Sequence, residues 1–153
     1  MSTLKQTLQA DLTKAIRARD SLTAATLRMA LTAITTEEVA GRSARELSDT
    51  EVVGVLITQA KRRREAATAF TDAARPELAQ REQAELAVLV GYLPEPMTQA
   101  EVADLVTRSV AAAASAGVTG MPAMGRVMKE LSAQTSGRFD GGELAGMVRA
   151  ALT

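Results

Sequence analysis

Gly91-Tyr92-Leu93-Pro94-Glu95-Pro96-Met97-Thr98-Gln99-Ala100-Glu101 is the stretch that decides how this chain folds. Two prolines within three residues stop any helix arriving from the amino-terminal side, because each lacks an amide donor and restricts the residue before it. Directly behind them, Thr98 with Glu101 three positions on is a capping-box signature: the hydroxyl takes an orphan amide while the carboxylate reaches back to the cap. A stiff joint between two helices predicts an all-α protein of two lobes, an amino-terminal domain over residues 1–94 and a second domain over 95–153.

Upstream of the joint, Pro76 suits the first turn of a helix and Glu77 complements its dipole, with Leu78, Glu85-Leu86, Leu89 and Val90 following. Before it, Ser48 and Glu51 form a second capping box, so a long helix begins at Asp49 and carries Val52, Val53, Val55, Leu56, Ile57, Ala60, Ala67 and Phe70. Gly54 interrupts that face, and a close helix crossing would account for its missing side chain. Leu4, Leu8, Leu12, Ala15, Ile16 and Arg19 recur at spacings of three and four, a first amphipathic helix with the Arg19 stem laid over the core. Asp20 or Ser21 recaps the chain for a second helix bearing Leu22, Ala25, Leu27, Met29, Leu31 and Ile34 and stopping at Gly41. Four helices thus precede the joint.

Downstream, Val102, Leu105, Val106, Ser109, Val110 and Ala113 follow Thr98, and Gly117 closes that helix. Pro122 opens a short helix with Met124, Val127, Met128 and Leu131. Asp140-Gly141-Gly142-Glu143 reads as a third capping box ahead of Leu144, Met147, Val148, Ala151 and Leu152. The expectation is a four-helix lobe followed by a three-helix lobe, the latter of roughly 56 residues and marginal by itself.

Composition restricts the chemistry. Cysteine and histidine are both absent, which excludes Cys/His zinc sites, thiol nucleophiles and every imidazole base. The 18 basic and 18 acidic residues cancel, so no overall field steers the chain to nucleic acid, though a local patch can. The start carries no apolar signal segment and no apolar run nears the roughly 20 residues of a membrane span, so the chain reads as cytoplasmic, without membrane association.

Three groups of residues are candidates for function. Lys61-Arg62-Arg63-Arg64 is the densest basic run, and Lys61 and Arg62 could track phosphates; the plainer use is a solvated face or structural ion pairs, since four consecutive helical positions sweep most of a circle. Gly125, Arg126 and Lys129 place two cations on one helical side beside an opened backbone. Gly137, Arg138 and Gly141 belong to a tight glycine-rich loop whose helix start could accept an anion. For these last two groups, turn-and-packing roles and a recognition surface stand level. Met121, Met124 and Met128 suit a core more than a groove. Glu37-Glu38, Glu82 and Glu85 make a poor case for paired catalytic carboxylates or a metal site, and no serine-lysine amidase setting occurs. The residues themselves call for no catalytic group, metal or cofactor.

Several segments, in this order, resemble the GatB/YqeY family, specifically its stand-alone YqeY-like members. They are Leu8 through Asp20, with Asp11, Leu12, Ala15, Ala18 and Arg19 at the matching positions; Leu27-Arg28-Met29; Lys61-Arg62-Arg63-Arg64-Glu65; Glu82 to Pro94, ending Tyr92-Leu93-Pro94; Met124-Gly125-Arg126-Val127-Met128; and Gly137-Arg138-Phe139-Asp140-Gly141. The resemblance implies a bacterial protein whose second domain is similar to the tail of the B subunit of the tRNA-dependent Asp/Glu amidotransferase, a tRNA-contacting appendage. It also implies that Gly125, Arg126, Lys129, Gly137 and Arg138 form the equivalent contact surface, although Phe139 stands where the family commonly has alanine. The kinase-like catalytic portion of the large subunit and a glutaminase domain have no counterpart here. The expected function is therefore non-catalytic binding of tRNA or a translation-related protein. Two alternatives accompany it: carbon-nitrogen ligase activity with glutamine as amido donor, exercised with a catalytic partner, and a purely protein-binding module using the Met121, Met124 and Met128 face.

Overall fold

The computed structural model describes residues 2–153, and among these the regular structure is helical throughout. Seven α-helices run in chain order: α1 (Leu4–Arg17), α2 (Ser21–Val39), α3 (Asp49–Asp72), α4 (Pro76–Val90), α5 (Gln99–Ser115), α6 (Met124–Thr135) and α7 (Gly141–Leu152), with a single 3-10 turn, Met121–Ala123, leading into α6. Among the described residues no helix is long and apolar enough to cross a membrane. The chain divides into two compact units, Met1–Leu93 and Pro94–Thr153.

The helix starts follow from local side chains. Ser48 accepts from the Glu51 amide while the Glu51 carboxylate takes the Ser48 amide, and Thr98 with Glu101 does the same for α5. A further box, Thr3 with Gln6, opens α1. Asp20 caps α2 through the Thr23 amide, and Pro76 occupies the first turn of α4. At α7 the sequence expectation is half met: Asp140 accepts from the Glu143 amide, but the Glu143 carboxylate turns away from the cap and bonds Gln99 Nε2 instead.

Helix ends show where periodicity misleads. Gly117, at φ +83°, closes α5 by a paired motif in which its own amide reaches Ala114 O and the Val118 amide reaches Ala113 O. The same motif ends α1 and α3 with Arg19 and Ala74 in the left-handed position, both at φ 57°. Arg19 is therefore outside α1 and exposed rather than laid over the core, and Ile16 is half exposed. Gly41 plays no such part, for α2 stops at Val39 with Ala40 as its cap. A left-handed residue with a Cβ costs roughly 1–2 kcal/mol. Ala74→Gly is accordingly expected to stabilise the first unit by about 0.5–1 kcal/mol after the entropy of the added glycine is deducted, read as a rise in urea midpoint.

In the first unit the core is Leu8, Leu27, Ala30, Ile34, Val52, Leu56, Ala60 and Leu89, with Leu4, Leu12, Leu31, Leu47, Tyr92 and Leu93 packed around it. Met29, assigned to this face by spacing, is about half exposed at 48%. Gly54 is no crossing point either: a Cβ there would meet nothing within 4 Å, because the position borders an open groove. The buried Thr26 hydroxyl is satisfied by the Leu22 carbonyl one turn back. Glu38 is buried at the end of α2, where its carboxylate accepts from Lys5 Nζ at 2.6 Å and from the Leu47 amide, tying the α2–α3 connection to α1.

The second unit is built on Val102, Val106, Ala113, Ala123, Val127, Leu131, Leu144 and Val148, with Met97, Met124, Met128, Phe139 and Met147 filling its margins. Met124 and Met128 thus pack as core filler while Met121 remains 47% exposed. Such adaptable side chains suit a small core almost without rings.

Candidate functional site

Val127 and Leu131 are buried four residues apart on α6, so the helix turns Gly125, Arg126 and Lys129 to solvent. Neither Arg126 nor Lys129 joins an ion pair among the described residues. A Cβ at Gly125 would meet nothing within 4 Å, so glycine leaves open backbone beside Arg126 without being needed for packing. This is a small, uncommitted, positive face.

The neighbouring loop is less free than its sequence suggests. Gly137 takes φ +76° and turns the chain so that Arg138 clamps the beginning of the unit: its carbonyl accepts the Met97 amide at 2.8 Å and its Nε donates to the Glu95 carbonyl at 2.9 Å. Arg138 is half-buried, and part of its hydrogen-bonding capacity serves the fold. At the start of α7 the Asp140 carboxylate already sits on the Glu143 amide and close beside Gly142. The anion that open amides attract at Gly141 is therefore supplied by the chain itself.

In the first unit the basic run is split three ways. Arg63 is buried, with Nε 3.1 Å from Glu85 Oε2 and 3.8 Å from Glu82 Oε2, and its Nη2 donates to Met29 Sδ at 3.4 Å. Arg81 approaches the other Glu85 oxygen from the surface at 3.5 Å. Lys61 and Arg62 are exposed, but Arg62 borders one groove and Arg64 another, so these cations do not share one flat patch. Glu82 and Glu85, weighed in the sequence as catalytic carboxylates, are counter-charges for Arg63. Sequence reasoning missed this cluster, yet a signal existed: Arg63 follows Leu56 by seven and precedes Ala67 by four, on the buried stripe, and Glu85 precedes Leu89 by four.

A second unforeseen link joins distant segments. Tyr92 donates its hydroxyl to Asp11 Oδ2 at 2.7 Å, closing α1 onto the end of α4 across 81 positions. Burial, and then the Asp11 carboxylate, push the Tyr92 phenol well above its ordinary range.

The Arg45 guanidinium pKa is raised by its hydrogen bonds to Glu51, and the other perturbed groups are carboxylates held low by local partners. Glu51 falls from 4.5 to about 2, chiefly through Arg45, whose two nitrogens donate to its two oxygens, and then through the Ser48 amide. Glu38 is lowered by Lys5, Asp20 by Thr23, Glu77 by Arg75 and Glu101 by Thr98. A depressed folded value contributes stability above the ordinary pKa and loses it as pH falls toward the folded one. Stability should therefore decline between about pH 4.5 and 2, and Glu51→Gln should flatten that decline, measured as urea midpoints at neutral and acid pH. These five are cap and ion-pair residues, and no group of three or more His, Cys, Asp or Glu among the described residues could hold a metal.

A family model described as Yqey-like protein matches residues 5–152, nearly the whole chain. The chain belongs to the YqeY family. No curated protein matches it. The segments that carry the YqeY likeness now divide by use. In the first unit Asp11 and Tyr92 bond each other, while Arg63 and Glu82 lie in one buried cluster. In the second unit Gly125, Arg126 and Lys129 remain exposed.

Proposed function

We propose that this YqeY-family chain is a non-catalytic, cytoplasmic RNA-binding protein of the translation machinery, whose second unit lays the exposed face of α6 on the phosphate backbone of tRNA. The observation that carries the reading is the pair Arg126 and Lys129, one helical turn apart, exposed and without ion-pair partners among the described residues, beside a glycine that leaves room for a backbone to approach. Under this reading Pro94–Thr153 is the three-helix, amidotransferase-tail-like domain and Met1–Leu93 the four-helix domain that carries it. Arg138 helps chiefly by fixing the loop that follows α6, and Lys61 and Arg62 belong to the other unit. Recognition by shape rather than base stacking is favoured because all three aromatic rings, Phe70, Tyr92 and Phe139, are partly buried.

Titration of fluorescently labelled tRNA with the full chain tests the reading: saturable binding is expected, weakened by Arg126→Ala to a similar degree for tRNAs of different sequence. The competing reading, amide transfer from glutamine, has its own assay. Incubation with glutamine, ATP and misacylated tRNA is expected to release no glutamate above background, and steady release abolished by one substitution would replace the binding account.

A further inference from the structure

A groove of about 550 Å³ runs between α2 and α3 in the first unit, whereas the proposed α6 contact belongs to the second. Its floor follows α3 from Glu51 to Arg62, eleven positions on, or about 16 Å at the rise of an α-helix. At one end stands Arg62, exposed and outside every ion pair among the described residues. One turn before it, Gln59 is only 8% exposed, yet its carboxamide hydrogen-bonds to nothing among the described residues. Among the described residues Arg63 Nε is the one buried side-chain N or O atom both sealed from solvent and unpartnered, so the Gln59 amide keeps its opening to the groove it lines. Its donor and acceptor are therefore free toward the groove and open to a bound group.

Midway along, Gly54 leaves open space where a Cβ would project, exposing helix backbone to anything lying in the groove. At the far end Arg45 and Glu51 neutralise each other through two hydrogen bonds. Glu37, exposed and outside any ion pair among the described residues, leaves that end net negative. The two ends thus carry opposite charge across a floor with an unpartnered amide.

We propose that this groove binds a short extended peptide by its free carboxyl terminus. The carboxylate meets the Gln59 amide and the Arg62 guanidinium, whose fork suits two carboxylate oxygens. The peptide backbone crosses Gly54, and a basic group upstream meets Glu37. A span of about 16 Å corresponds to roughly five extended residues at ~3.3 Å each. That length, with charge at both ends, favours a peptide over a free amino acid.

The test uses the full chain, isotopically labelled, and an acetylated pentapeptide of one lysine, three alanines and a carboxyl-terminal leucine. Saturable shifts of the Gly54, Thr58 and Gln59 amides are expected. Amidation of the peptide's carboxyl terminus should weaken binding at least about tenfold, the loss of charge-assisted hydrogen bonds. Gly54→Leu, which enters open space and keeps the helix, should abolish binding while raising the urea midpoint. Absence of saturable shifts at millimolar peptide would overturn the proposal, as would equal affinity for the acid and amide peptides or for free leucine. Binding undiminished in a folded Gly54→Leu chain, or shifts at these amides produced by tRNA and not by peptide, would do the same. tRNA binding through Arg126 and Lys129 can stand or fall separately from any of these results.

Discussion

Replacing Arg63 with alanine is expected to lower the stability of the first unit by about 3–5 kcal/mol, the usual cost of removing one partner from a buried ion pair. Arg63 is 7% exposed and Glu85 equally so, and truncation would leave the Glu85 carboxylate facing a cavity, with only the surface Arg81 to approach it at 3.5 Å. Glu82, nearer solvent, can rehydrate. The arrangement is not an ideal pair: Nε lies 3.1 Å from Glu85 Oε2 but lacks the alignment of a hydrogen bond, so its attraction offsets a desolvation cost rather than adding a surplus. A second result follows from that geometry. Arg63→Met combined with Glu85→Leu should recover most of the loss, since neither charge then remains buried. Urea unfolding of the wild type, the single variant and the double variant decides it; a double variant no more stable than Arg63→Ala would mean that the charged pair contributes net stability that apolar side chains of similar length do not replace.

The second large effect is expected at Leu131→Ala. Leu131 is 1% exposed at the centre of the second core, and a leucine truncated in such a place costs about 2–5 kcal/mol. A unit of this size holds only about 3–5 kcal/mol. The substitution should therefore unfold Pro94–Thr153 while Met1–Leu93, with its own core, remains folded. Amide resonances of α5 to α7 should collapse to unfolded positions with those of α1 to α4 retained, and tRNA binding should vanish with them. Uniform loss of all resonances would show instead that the two units fold as one cooperative structure.

The fold was legible in the sequence where one residue type has one local consequence. Ser48 with Glu51 and Thr98 with Glu101 cap helices, Pro76 starts one, and Gly117 ends one, because each effect lies within a single turn. Periodicity failed where the apolar stripe outran its helix: Arg19 keeps the spacing, but it lies beyond α1 in the left-handed turn that closes it. It also failed at Gly54, where a missing side chain reads alike whether a helix or open water faces it.

The candidate site was legible only as a set of residue types. Exposure of Arg126 and Lys129 follows from the positions of Val127 and Leu131. The clamp made by Arg138 does not, because its acceptor, the Glu95 carbonyl, lies 43 positions away and backbone carbonyls have no sequence signature. Tyr92 with Asp11 was hidden for the same reason, each residue looking ordinary until α1 and α4 are brought together.

The central claim, that α6 holds RNA phosphates, meets its most direct test in the salt dependence of tRNA binding by the full chain and by Arg126→Glu/Lys129→Glu. Both positions are exposed, so the substitutions leave the core untouched. The account predicts affinity at least about a hundredfold weaker at low salt for the doubly reversed chain, with the slope of log affinity against log salt reduced by about 2. Equal affinity and an unchanged slope in a variant that folds like the wild type would contradict it.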